Sequence, residues 1–278
     1  MILIAESGST KTDWRLVLPT GEVKSYQTIG FNPYYIGKEG IIKALSGSAL
    51  LEFKAEVTQL YFYGAGCASE ENCQLISISF SSFFIAAKIE VSNDMMAAAR
   101  ATCGNEKGMI AILGTGSNSC LYDGKEIAEN VTSLGYILGD YGSGADIGKQ
   151  LITAYLENEL PQELHEAFEN EYNLTPQNII NSIYKEPLPN RFLASFNLFV
   201  SAHIEHPFVN NLVKNRIKLF IDKNLFKYSD CQIFKLNIVG SISAVYETII
   251  REESNKKKIT IGKIIKAPID ELVAYHLD

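Results

Sequence analysis

Short apolar runs and helical spacings alternate along the chain in a definite order. Residues 2–5 are apolar throughout, 13–18 form a second strand-like run, and 23–28 a third beyond the turn residues Pro19-Thr20-Gly21-Glu22. Together they predict an opening β-meander. Helical spacing follows over about 37–53, then an apolar strand at 59–63 that ends in Gly64-Ala65-Gly66. A helix over about 70–86 with Ser69 as its N-cap, a strand at 88–92, and a helix from Met95 to Cys103 complete this part.

The pattern then restarts. Met109 to Leu113 is an apolar strand, Gly114-Thr115-Gly116 a tight turn, 117–122 a strand, and Asp123-Gly124 a hairpin signal. The echo is one of topology, because the two segments share little beyond Gly- and hydroxyl-rich turns. Residues 143–226 read as mostly helical, with Thr175-Pro176 as N-cap and first helical residue, and Pro207 opening an amphipathic stretch to Phe226. A strand at 235–239 runs into Gly240-Ser241, a helix spans 243–253, a strand lies near 259–265, and Pro268 begins a terminal helix. The expectation is an α/β protein with mixed sheets in two lobes. They comprise residues 1–104, with the helix 268–278 packing back on them, and residues 105–267, with a helical insertion at 143–226.

Composition narrows the class of function. With 278 residues, 46% of them apolar, the chain can bury a core in each of two domains. Its 25 basic residues stand against 32 acidic ones, a formal charge of −7, and the one basic run is Lys256-Lys257-Lys258. That balance leaves no electrostatic footprint for nucleic acid. The five cysteines are scattered without a C-x-x-C pair, which argues against a disulfide framework or a zinc site and for a reducing cytoplasm. The segment Met1 to Ala5 is too short for a signal sequence, and no stretch of 18 apolar residues follows, so no membrane partner is expected.

Candidate chemistry gathers at the turns. In Glu6-Ser7-Gly8-Ser9-Thr10-Lys11-Thr12 a strand ends in a carboxylate, a small-residue turn follows, and a second strand leaves. Such a turn lets backbone N–H groups approach an anion, the Ser9 and Thr10 hydroxyls add donors, and Glu6 could reach Mg2+ through water. An ordinary polar hairpin would look the same. Gly114-Thr115-Gly116-Ser117-Asn118 repeats the design. There is no G-x-x-x-x-G-K-[ST] phosphate loop and no third glycine of a dinucleotide fingerprint, so phosphates would be held by hairpins.

Five segments in this order resemble the N-acetylglucosamine kinase-like branch of the actin, sugar-kinase and Hsp70 ATPase superfamily. They are Glu6 to Thr12, Ser92-Asn93-Asp94, Gly114 to Asn118, Gly139-Asp140-Tyr141-Gly142-Ser143-Gly144, and Val239-Gly240-Ser241. The resemblance covers nearly the whole chain and implies two ribonuclease-H-like lobes closing over Mg-ATP with a sugar in the cleft. It implies that Gly8, Ser9, Thr10, Lys11 and the loop from Gly114 to Asn118 hold the triphosphate. Gly240 and Ser241 would approach the adenosine, and Glu6 would stand where the family usually has a metal-binding aspartate. Asp94 matches the general base. Its setting at a strand end, among Met and Ala residues, would raise its proton affinity, although the same aspartate could simply cap a helix. Asn32 matches a sugar-binding asparagine but is also plain turn chemistry before Pro33. Asp140 would accept from sugar hydroxyls or cap the helix near Ser143. Gly66 and Thr115 would complete the sugar site, Gly66 near the acetamido group.

These features point to transfer of the γ-phosphate of ATP to the 6-hydroxyl of N-acetylglucosamine or a similar amino sugar. One alternative is a non-kinase ATPase of the same fold, such as an activator of 2-hydroxyacyl-CoA dehydratases with an iron–sulfur cluster. That function needs cysteines in a Gly-rich context, which neither Cys103 nor Cys120 matches. A binding module that has lost the chemistry is the other, with Glu6 its only support. His203 and His206, three apart, and His165 lack a third ligand for a metal. The apolar stripe from Phe192 to Phe208 reads as core or as the contact of a homodimer.

Overall fold

The computed structural model describes residues 1–8 and 10–277. The chain divides into two compact units, one formed by Met1–Glu106 together with the chain from Ala267 onward, the other by Lys107–Lys266.

The first unit is built on β1 (Ile2–Ser7), β2 (Lys11–Val17), β3 (Val23–Ile29), β4 (Gln59–Gly64) and β5 (Lys88–Asn93), in the order β3-β2-β1-β4-β5. The first three strands are antiparallel, as short turns allow, and β4 and β5 join parallel to β1 through helical crossovers. In β2 the buried residues Thr12, Trp14 and Leu16 alternate with half-buried Asp13 and Arg15, as expected of a strand with one face on the core. Trp14 meets Phe31 at 6.0 Å and Phe80 at 5.9 Å, and Phe62 meets Phe80 at 5.0 Å, all close to edge-to-face. This cluster ties the meander to the helix Glu70–Phe83, with each ring contributing about 1.5–3 kcal/mol by burial.

The second unit carries β6 (Gly108–Leu113), β7 (Ser117–Tyr122), β8 (Ile127–Asn130), β9 (Leu236–Val239) and β10 (Ile261–Ile265), in the order β8-β7-β6-β9-β10. Strand senses repeat those of the first sheet: β6 is antiparallel to β7, β7 antiparallel to β8, and β9 and β10 are parallel to β6 and to each other. The echo in the sequence is therefore an echo of topology. Helices cover this sheet so fully that every residue of β9 is buried. The helix Pro176–Tyr184 starts in a capping box at Thr175 with Pro176 in first position, and the helix Pro207–Lys223 follows Pro207.

Two predicted helices are shorter than their spacing suggests. The pattern over 37–53 contains the helix Lys38–Ser46 and a separate 3-10 turn, Ala49–Phe53, because Gly47 caps the first and Ser48 the second. The pattern over 243–253 divides into Ser241–Val245 and Glu247–Lys256 around the buried Tyr246. No helix among the described residues is long and apolar enough to cross a membrane.

Candidate active site

In the first unit the candidate residues collect at the carboxyl ends of β1, β4 and β5. Register places Glu6 beside Tyr63, and Tyr63 beside Ser92, with Gly64 beside both Ser7 and Asn93. Glu6 and Asp94 therefore stand at the ends of strands about 10 Å apart. Ser7 and Thr12, fully buried at the hairpin base, share a hydrogen bond of 2.7 Å. The Thr12 hydroxyl donates to the Ile29 carbonyl, and the Phe31 N–H donates to the Ser7 hydroxyl at 2.9 Å. This pair of hydroxyls fixes both the turn and the segment that leads to Asn32. Within the turn the Gly8 N–H donates to the Lys11 carbonyl, and Thr10 is exposed. Ser9 lies outside the described residues.

Asn32 is buried and accepts from the Tyr34 N–H at 3.0 Å. Gly66 presses against it, since a Cβ there would lie 2.5 Å from the Asn32 side-chain oxygen, and its φ of +87° favours glycine. Asn72 donates to the Gly66 carbonyl at 2.7 Å and holds the loop.

Three carboxylates share this end of the sheet. Glu6 lies directly across the ladder from Asp13, a destabilising pairing of like charges. Lys11 at 2.8 Å and Gln27 at 2.8 Å compensate Asp13 and, despite partial burial, its carboxyl is held below the usual range. Glu6 has no such compensation. Burial first, then Asp13 and Asp94, push its carboxyl up to about 7 against the weaker pull of Lys11. Asp94 opens the helix Asp94–Cys103, but the N-cap is Asn93, whose side chain accepts from the Met96 N–H at 2.8 Å. The Asp94 carboxylate accepts the Met95 N–H at 2.9 Å and has no cationic partner among the described residues. Burial raises it to about 6.

In the second unit Gly114 to Gly116 close the β6–β7 hairpin, with the Gly114 N–H donating to the Gly116 carbonyl. The Gly114 and Thr115 carbonyls accept the N–H groups of Gly144 and Ala145, so the start of the helix Gly144–Leu156 is sewn to this turn. Asp140 has a φ of +52°, and its carboxylate lies 2.9 Å from where a Cβ on Gly116 would be. Burial raises the Asp140 carboxyl, opposed by bonds from the Ser117 N–H and the Ser133 hydroxyl. Ser143, not Asp140, caps the helix, accepting the Asp146 N–H. Gly240 lies so close to the Leu113 carbonyl oxygen that a Cβ would overlap it, and Ser241 begins the helix beyond. Asn118 bonds the Ser119 N–H and the Asn130 side chain.

Several supporting residues escape a linear reading. Asp146, buried, receives Arg216 at 2.8 and 3.1 Å as well as the Gly142 N–H, which fixes the glycine-rich loop around Asp140. Asn197 donates to the Gly144 carbonyl at 2.7 Å and accepts from Tyr246. Only the spacing from Ser143 to Asp146 carried a signal, and it signalled capping.

The oxygen donors suit Mg2+ held largely by phosphates and water. No group of three His, Cys, Asp or Glu among the described residues could hold a metal alone, whereas magnesium in phosphoryl transfer commonly takes one or two carboxylates. Glu6, raised first by burial and then by Asp13 and Asp94, is a carboxylate whose charged form a cation would favour.

No family model matches the chain, and a search of curated proteins finds no match. Solved structures do. A candidate N-acetylglucosamine kinase from Chromobacterium violaceum covers 99% of this chain and 98% of its own at 15% identity, with a TM-score of 0.72. A ROK family glucokinase from Streptomyces griseus, in complex with glucose and AMPPNP, covers 96% and 93% at 13% identity, with a TM-score of 0.56. These two establish the fold, that of the actin-like sugar kinases. A candidate N-acetylglucosamine kinase from Porphyromonas gingivalis is 40% identical over 99% of this chain and 98% of its own, with a TM-score of 0.95. The chain belongs to the N-acetylglucosamine kinase-like family, a family of phosphotransferases with an alcohol group as acceptor.

Proposed function

We propose that the protein is an ATP-dependent sugar kinase that phosphorylates N-acetylglucosamine or a related amino sugar on its 6-hydroxyl, with Asp94 as general base. The observation that carries this is Asp94 itself, a partly buried carboxylate at a strand end, without a cationic partner among the described residues and with its carboxyl near 6. A carboxylate in that state is ionised at neutral pH yet basic enough to take a proton in the transition state.

Asp94 accepts the proton of the acceptor hydroxyl as that oxygen attacks the γ-phosphorus. The bond to the β–γ bridging oxygen breaks and ADP leaves. Asn32, Gly66, Thr115 and Asp140 orient the sugar. Phosphate contacts fall to the turns at Gly8 to Lys11 and Gly114 to Asn118. The Gly8 and Gly114 amides are engaged within those turns, which leaves Thr10, Thr115 and Gly116 as donors among the described residues. Gly240 and Ser241 lie at the adenosine. Glu6 would orient Mg2+, which neutralises charge on the phosphates when bound. An iron–sulfur ATPase is less well supported, since Cys120 is fully buried in β7.

The test is ADP release over a panel of amino sugars with Mg-ATP. N-Acetylglucosamine or a close analogue should be consumed, and Asp94→Asn should lower kcat about 10³-fold while ATP binding, read by calorimetry, is retained. Undiminished turnover in Asp94→Asn would remove the base assignment.

A further inference from the structure

The helix that begins at Asp94 is held, nearly two turns further on, by a partly buried polar cluster that none of the chemistry above employs. Arg100 donates to the Tyr63 hydroxyl oxygen and to Glu90, each at 2.7 Å, and its guanidinium lies 5.6 Å from the Tyr63 ring and 5.4 Å from the Tyr275 ring. The Tyr63 hydroxyl also shares a hydrogen bond of 2.8 Å with Nε2 of His276. Burial lowers the His276 imidazole to about 4, so the ring is neutral, and it stacks at 3.7 Å on Tyr61. His276 belongs to the helix Ile269–Leu277, whose first turn is tied to β2 by Arg15 and Asp270 at 2.7 Å.

We propose that Tyr63, Arg100 and His276 are positioning residues for the base, and that the helix Ile269–Leu277 sets where Asp94 stands. Arg100 follows Asp94 by six residues, about 9 Å along the axis. A change in helix tilt of about 5° about Arg100 displaces the first residue by about 0.8 Å, and errors of that size in a reacting group cost up to about 100-fold in rate. Polar clusters of this kind add little stability over apolar packing of the same volume, but their hydrogen bonds admit one orientation. Three segments distant in sequence converge on Arg100, and the helix they fix begins with the base.

This inference rests on Asp94 being the base, and the test separates the two. Tyr63→Phe, which keeps the ring, and His276→Ala should each lower kcat about tenfold with the sugar KM changed less than about twofold. His276→Gln, which keeps an acceptor, should recover most of the loss. In the Asp94→Asn background the same Tyr63→Phe change should alter the residual turnover by less than about twofold, because the group being positioned has gone. An equal loss in both backgrounds would show a purely structural role and overturn the inference, as would an unchanged kcat. Full turnover by Asp94→Asn alone would remove the base assignment and this role with it.

Discussion

The two units share a strand order and differ in how they finish their first hairpin. In the first, β1 and β2 meet over the paired hydroxyls of Ser7 and Thr12, and the carboxylates of the next pair, Glu6 and Asp13, project from the opposite face of the sheet. In the second, Gly114 to Gly116 carry no functional side chain but the Thr115 hydroxyl, and the surroundings close in backbone to backbone, through Gly240 on the Leu113 carbonyl and Gly144 on Gly114. Topology decides where the loops lie. Whether a loop offers charge or shape is decided by a few residues. The first unit gathers the raised carboxyls of Glu6 and Asp94, and the second a close fit of backbone on backbone.

That contrast can be broken at three places. The largest effect is expected in the second unit at Asp146→Asn, which leaves Arg216 without its buried partner and should cost about 3 kcal/mol of stability by denaturant unfolding. Substituting the exposed Lys11 partner of Asp13 should cost far less. Next, Gly240→Ala places a methyl group against the Leu113 carbonyl at a φ of +137° and should cost about 2 kcal/mol. It should also weaken nucleotide binding, measured by calorimetry, while hydrogen exchange in β1 and β4 stays unchanged. The smallest effect sharpens the acid–base side. With Asp94 as the proposed base and its carboxyl near 6, kcat/KM should fall as pH drops through 6 and be about tenfold lower at pH 5. Asp140→Asn should leave that limb in place, because the proposed role of Asp140 is to orient substrate without transferring a proton. A limb that vanished with Asp140 would move the base to the second unit.

Much of the architecture is written in local signals. Ser69, Thr175-Pro176 and Asp123-Gly124 each mark a boundary by chemistry that needs no distant partner, and each stands at one. Where two local signals compete, the sequence is ambiguous. Asn93 and Asp94 are both good caps, and β5 runs one residue beyond the predicted 92, so the cap falls to Asn93 and leaves the Asp94 carboxylate for other use. Long-range pairs leave no trace at all. Asp146 and Arg216 are 70 positions apart, and Tyr63 and His276 are 213 apart. The motifs could therefore suggest which residues touch ligands, but not those that hold them.

The first unit is assembled from both sides of the second in sequence, since its final helix begins only after Lys266. On the ribosome, all of the second unit emerges before that helix does, and it can fold as an uninterrupted segment while the first waits for its last piece. Released chains truncated before Ile269 should thus resist protease across 107–266 and remain cleavable in the opening meander. Phosphotransfer competence would then arrive abruptly, once the helix Ile269–Leu277 has docked.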